Sequence, residues 1–218
     1  MNSLTEENYL KAIWKLMEKG EVVYTNEIAH RMKTKAASVT DMLRKLANKK
    51  LINYKKYNGV TLTSSGKKVA VSIIRKHRLW EMFLVEKLNF KWDEVHDIAE
   101  QLEHINSEKL IEQVEKILNY PKFDPHGDPI PDKNGKFSEK KSVLLSEIKK
   151  NSVCLMTGVV DHSEKFLRYL DNIGVSLGNS IKVKDIIDYD KSVQANINGK
   201  KTIFISSHVA KNILVRTK

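Results

Sequence analysis

The 218-residue chain has a single cysteine, Cys154, so an internal disulfide framework is excluded. That usage suits a reducing, cytoplasmic location. No apolar run approaches the roughly 18–20 residues that a membrane span needs, and no membrane association is expected. The opening MNSLTEENYLKAIW does not place a basic region, an apolar core and a cleavage site in series, so no secretory leader is read there. HExxH, a nucleophile elbow and a P-loop are missing, which argues against an enzyme. The four prolines all fall between positions 121 and 131, and no internal repeat is found.

What is present points elsewhere. Hydrophobic residues make up 41% of the chain, enough for packed cores, and the length suits two or three small domains. The net charge of +11 is unevenly placed. Residues 1–60 hold 12 Lys/Arg against 6 Asp/Glu, residues 61–142 hold 14 against 14, and residues 143–218 hold 12 against 7. A basic N-terminal third suits an anionic partner such as a phosphate backbone, and the neutral middle carries four of the seven histidines.

Ser3 and Glu6 have capping-box spacing ahead of apolar Leu10, Ile13, Leu16 and Met17, which predicts a helix over about 3–19. Thr25 is expected to cap a short second helix whose Ile28, Ala29 and Met32 face a core. After the break KTK, AASVTDMLRKLANKK predicts a third helix with Val39, Leu43 and Leu46 on one face. LINYKKYNGVTLT then sets strand-prone residues around Asn58-Gly59, a tight hairpin signal because both tolerate positive φ. This order is that of a winged helix-turn-helix, whose third helix enters the major groove. Thr34, Lys35, Ala36, Ala37, Ser38, Thr40, Asp41 and Arg44 would then lie along the DNA. Lys55, Lys56 and Tyr57 at the hairpin tip would touch phosphate or the minor groove.

A long helical pattern follows over about 63–88, then shorter ones over 93–105 and 107–119, suggesting a helical dimerisation or core region. The proline-marked stretch YPKFDPHGDPIPDKNGKF is extended. Beyond Ser138, the runs VCLMTGVV, SIKVKDII and KTIFIS, with turns at Gly178-Asn179 and Asn198-Gly199 and one helix EKFLRYLDNI, predict a small β-barrel. The fold class expected is mainly α with β. Three domains are expected: a winged helix over 1–70, a helical dimerisation and metal-binding region over 71–140, and the barrel over 141–218.

VHDIAEQLEHI carries the chemistry. His96, Glu100, Glu103 and His104 stand at i, i+4, i+7 and i+8, within a ~100° arc of one helix beside an apolar stripe of Val95, Ile98, Ala99, Leu102 and Ile105. His77 and Glu81 form another i, i+4 pair one helix earlier, and Asp124 and His126 sit in the proline-bounded loop. Imidazoles and carboxylates converging from separate elements suit a divalent first-row cation. Carboxylates brought together without one repel each other and resist burial.

RKHRLWEMFLVEKL followed by EVHDIAEQLEHINSEKLIEQVEKIL resembles the metal-binding core of the diphtheria toxin repressor family. The likeness extends to EENYLKAIWKL, to YPKFDPHGDPIP and to FLRYLDNIGVSLGNSIKV, which has the look of the family's SH3-like (FeoA-like) domain. The resemblance implies an ancillary metal site at His77, Glu81 and His96 and a primary one at Glu100, Glu103 and His104. Glu100, where the iron branch has Cys, implies the manganese branch, because an oxygen donor favours harder ions. Asp124 and His126 match a loop that supplies an extra ligand in the longer manganese regulators, where the first of the two is usually Cys. Asn8 stands where the family has a Met or Asp ligand, with Glu7 as its neighbour, and Lys11 replaces an acid that some manganese members use.

The function so implied is a Mn²⁺- or Fe²⁺-activated repressor of metal uptake genes, a homodimer bound to a double-stranded DNA operator, with no small organic substrate. Metal is expected to draw the first helix onto the Glu100–Glu103 helix. Two other readings stand beside it: a winged-helix regulator whose His/Glu set is structural, and a metal-dependent hydrolase.

Overall fold

The computed structural model describes residues 2–18, 20, 22–55, 58–139 and 141–217, and the chain divides into two compact units. The first comprises the described residues up to His77 with Glu100–Ile111 and Pro131–Phe137. The second comprises Arg78–Ala99, Glu112–Ile130 and the described residues from Ser138 onward.

The first unit opens with α1 (Leu4–Met17), α2 (Thr25–Arg31) and α3 (Ala36–Asn48), then the hairpin β1 (Ile52–Lys55) and β2 (Gly59–Leu62). Ser3 and Glu6 form the expected capping box: Glu6 N donates to Ser3 Oγ at 3.3 Å, and Ser3 N to Glu6 Oε2 at 2.8 Å. The cap of α2 differs from expectation. Its N-cap is Tyr24, whose backbone N donates to Glu27 Oε2 at 2.7 Å, so Thr25 lies inside the first turn. A Glu three residues on reaches back to a residue with no capping hydroxyl, which spacing from Thr25 does not reveal. Leu10, Ile13, Ile28, Val39, Leu43, Leu46 and Val60 are fully buried in one core. Truncating Leu43 to Ala there would cost about 2–5 kcal/mol. β1 pairs antiparallel with β2 from Ile52↔Leu62 to Lys55↔Gly59, and Val23 bridges to Val60. Gly59, at φ +84° with a would-be Cβ 2.2 Å from Val22, accepts no side chain.

α4 (Ser64–Leu88) passes from the first unit to the second between His77 and Arg78. α5 (His96–Leu102) is shorter than the expected 93–105 helix. Glu103 and His104 therefore lie in the turn beyond it, not on a helical stripe. Two competing interactions account for this. Ser107 Oγ accepts from Leu110 N at 3.3 Å, capping α6 (Glu108–Ile117), and the Glu103 side chain is held by α1.

The second unit is built on a six-stranded antiparallel sheet of order β3-β8-β4-β5-β6-β7. Its strands are β3 (Val143–Leu144), β4 (Val153–Val159), β5 (Ser180–Ile186), β6 (Val193–Ile197), β7 (Lys201–Ile205) and β8 (Ile213–Thr217). Register shifts at Met156/Gly158 and Val183/Asp185 bend it. α7 (Glu164–Asn172), capped by Ser163, lays Phe166, Leu167 and Leu170 into the sheet's core, and α8 (Ser207–Ala210) precedes β8. No helix among the described residues is long and apolar enough to cross a membrane.

Candidate metal centre and nucleic-acid interface

Within the second unit, α4 presents Glu81 and the 121–130 loop presents Asp124 and His126. All three are buried, and each offers a ligand atom within 4.8 Å of the other two. The loop is shaped by its own backbone. Asp124 Oδ1 accepts from His126 N and Asp128 N, both at 2.9 Å, and Ile130 N donates to Lys122 O at 2.9 Å. Arg78 holds the far side, donating to Pro129 O at 2.6 Å and to Asp128 Oδ2 at 3.1 Å. Gly127, at φ +83°, lets the loop lie against β4: a Cβ there would sit 2.0 Å from Thr157 O, and Val159 N donates to His126 O at 3.0 Å.

His126 is oriented for ligation. Its Nε2 donates to Trp92 O at 2.7 Å, which leaves Nδ1 facing Glu81 Oε2 at 3.5 Å. Nδ1 is buried and has no hydrogen-bond partner. The ring is flanked by Trp92 and His162, with centroids at 6.2 and 5.1 Å. Trp92 is itself tied to α7 by its indole N–H to Asp171 at 3.0 Å, and Asp93 accepts from Arg168 at 2.7 Å. His96 Nδ1 lies 3.2 Å from Glu81 Oε1 on the more exposed side.

Burial and charge act strongly on this group. Burial, then the Glu81 and Asp128 carboxylates, pushes Asp124 up to about 7. Burial pulls the His126 imidazolium down, but Glu81 and Asp124 more than offset it and leave the ring at about 9. A buried orphan imidazole nitrogen between two crowded carboxylates fits a divalent ion, and the oxygen-rich donor set fits Mn²⁺ or Fe²⁺.

The second donor group lies within the first unit and has a different character. Lys11 Nζ donates to both oxygens of Glu103, at 2.8 and 2.7 Å, and reaches Glu100 Oε1 at 3.4 Å. His77 Nδ1 lies 2.5 Å from Glu103 Oε2, and His104 Nδ1 lies 2.7 Å from Glu7 Oε2. Burial raises the Glu103 carboxyl, but His77 and Lys11 outweigh it and hold the group below its ordinary value. Asn8 is half-buried and lines a cleft of about 960 Å³ with Lys11 and Glu100. The sequence reading missed the roles of Arg78, the Trp92 carbonyl and the Lys11 clamp. Backbone acceptors and loop anchors leave no residue-type signal, whereas Lys11 had one in its departure from an acidic position.

Ahead of α3, Thr34 is half-buried and the N-cap Lys35 exposed; on α3, Ala36, Ala37, Ser38, Asp41 and Arg44 are exposed and Thr40 is half-buried. Thr40 Oγ1 donates to Ala36 O at 3.0 Å, and Arg44 lies 3.5 Å from Asp41. Lys55 is exposed at the end of β1; Lys56 and Tyr57 lie outside the described residues. Lys45 and Lys49, also on α3, reach back to buried Glu6 at 3.2 and 2.8 Å and so fix α3 to α1.

Three family models match in series. Residues 1–60 match the iron dependent repressor N-terminal DNA binding domain, 63–132 the iron dependent repressor metal binding and dimerisation domain, and 143–217 the FeoA domain. A manganese-dependent transcriptional repressor solved in complex with manganese superposes with a TM-score of 0.85 at 33% identity, over 98% of this chain and 100% of that one. The chain belongs to the diphtheria toxin repressor family. The manganese regulator SloR is similar at a TM-score of 0.74 and 32% identity, over 98% of each chain. The diphtheria toxin repressor of Corynebacterium diphtheriae is 27% identical over 203 residues, 90% of each chain. The iron-dependent repressor IdeR of Mycobacterium leprae is 35% identical over 133 residues, 60% of this chain and 58% of that protein's length. The family consists of DNA-binding transcriptional repressors, not enzymes, which removes the hydrolase reading. Its fold is the one expected here: DNA-binding domain, helical region and C-terminal antiparallel β-sheet.

Proposed function

We propose that this chain is a cytoplasmic, Mn²⁺- or Fe²⁺-activated repressor that binds a double-stranded operator as a homodimer and controls metal uptake genes. The observation that carries this reading is the convergence of Glu81, Asp124 and His126, all buried, beside an orphan imidazole nitrogen. A bound divalent ion supplies the positive charge that lets Glu81 and Asp124 stay ionised together. His96 stands next to Glu81 within the same unit and adds a further imidazole to the donor set. Asp124 brings an oxygen where a thiolate would favour softer metals.

The DNA-facing residues are Thr34, Lys35, Ala36, Ala37, Ser38, Thr40, Asp41 and Arg44, with Lys55, Lys56 and Tyr57 on the wing. The small side chains let the α3 backbone approach base edges, and the cations meet phosphate. The winged helix corresponds to 1–70, the dimerisation and metal-binding region to 71–140, and the SH3-like domain to 141–218. In the second unit, Leu88, Phe90, Ile117 and Tyr120 are exposed apolar side chains of the kind a partner protomer covers. α4 runs through both units, so ordering around Glu81 bears directly on the helix that continues into the DNA-binding part. A ~100-fold preference of the ion for the DNA-competent state corresponds to ~2.7 kcal/mol, enough to switch occupancy.

The test begins with selection of duplexes from a random pool in the presence of Mn²⁺. Fluorescence anisotropy on a selected duplex then follows, with Mn²⁺ and with chelator. Affinity is expected to rise by at least tenfold with the ion; equal affinity in both conditions refutes the proposal.

A further inference from the structure

We propose that Lys11 is a resident cation that holds the place at Glu103, so that this chain takes its activating ion at the Glu81–Asp124–His126 centre alone. The inference rests on the metal-centre reading above, and the contacts it is argued from lie within the first unit.

An ammonium has three protons to donate. Lys11 spends all three, two on the oxygens of Glu103 and one on Glu100. Glu103 is fully buried, and one of its oxygens also meets His77. His104 Nδ1, the next donor along, is engaged by Glu7. Glu103, His77 and His104 Nδ1 are thus already engaged inside the protein.

Charge argues the same way. A divalent ion at Glu103 would face the Lys11 ammonium at contact distance. Lys11 is only 6% exposed. Displaced from Glu103, its charge would keep only the longer 3.4 Å contact with the more exposed Glu100, and breaking a buried pair is costly. Glu100 is different: its side chain is 52% exposed and its contact with Lys11 is the longer one. The clamp is therefore Lys11–Glu103, which joins α1 to the turn after α5 whether or not metal is present. The expected closure of the first helix by an ion is accordingly replaced by a buried ion pair, and metal control is confined to the other centre.

The experiment counts ions. Full-length protein is dialysed to equilibrium against Mn²⁺, and bound manganese per chain is measured by atomic emission. Wild type is expected to hold one ion, Glu103→Gln to keep it, and Lys11→Met to gain a second. Two ions in wild type with one lost in Glu103→Gln overturns the proposal. So does a single ion that Glu103→Gln removes, or a count that Lys11→Met leaves unchanged in protein shown to be folded by circular dichroism. If Lys11→Met does not fold, the Glu103→Gln comparison decides alone. Asp124→Asn is the separate arm: retention of the wild-type ion there refutes the metal centre and leaves the Lys11 question to the other variants.

Discussion

Ion binding at the buried centre must release protons, and the number released depends on pH in a way the structure specifies. Asp124 stands at about 7 and His126 at about 9 before an ion binds. Coordination needs the Asp124 carboxylate and the His126 Nδ1 lone pair, so both protons must go. Below about pH 7 each pH unit is worth up to two protons, or about 100-fold in affinity. Between about 7 and 9 only His126 still has a proton to lose, and the gain drops to about tenfold per unit. Above about 9 affinity levels off. Titration calorimetry with Mn²⁺ in paired buffers of different ionisation enthalpy measures the count. About two protons are expected near pH 6 and about one near pH 8, with Asp124→Asn reducing the pH 6 count to about one. A count of zero at both pH values refutes the reasoning. The same groups set a stability trend. Both folded values are raised, so their contribution is greatest at low pH and is lost as pH rises through about 7 for Asp124 and about 9 for His126.

Other outcomes follow from particular contacts. Glu6→Gln removes a buried carboxylate shared by Ser3, Lys45 and Lys49 and lowers stability by about 1–2 kcal/mol, read as a fall in Tm at neutral pH. Hydrogen bonds to Lys49 and Ser3 overcome burial and hold Glu6 at about 2, a depressed value. Its contribution is therefore present above about pH 4.5 and lost as pH falls towards 2; a constant difference between wild type and variant down to that pH contradicts the assignment. Gly127→Ala forces a Cβ into Thr157 O and shifts the loop bearing Asp124 and His126, lowering Mn²⁺ affinity by at least tenfold in dialysis. Lys35→Ala, at the exposed start of α3, weakens DNA binding and reduces the slope of log affinity against log salt by about 0.9; an unchanged slope removes Lys35 from the phosphate contacts.

The sequence was most legible where one residue type meets one backbone need. Ser3 with Glu6 marks the start of α1, and Asn58-Gly59 marks the wing. The buried face of α3 follows from Val39, Leu43 and Leu46. Strands were legible where β-branched and other apolar residues cluster beside turn residues, as in β4, β5 and β7. VQANI and ILVRT, which form β6 and β8, were not singled out, although VQANI does alternate apolar and polar residues. The donor residues were visible by type, but their grouping was not. A helical wheel put His96, Glu100, Glu103 and His104 on one stripe, whereas the chain turns after Leu102 and gives Glu103 to Lys11. Asp124 and His126 reach Glu81 only because Arg78, Gly127 and the Trp92 carbonyl shape and hold their loop. Those anchoring roles depend on tertiary proximity, which residue spacing does not encode.

The central claim is that an ion sits among Glu81, Asp124 and His126, and anomalous diffraction from a crystal soaked in Mn²⁺ tests it most directly. The account predicts a manganese peak bounded by those three side chains, with Lys11 still seated on Glu103. A peak between Glu100, Glu103 and His104 with the three-residue centre empty would contradict it.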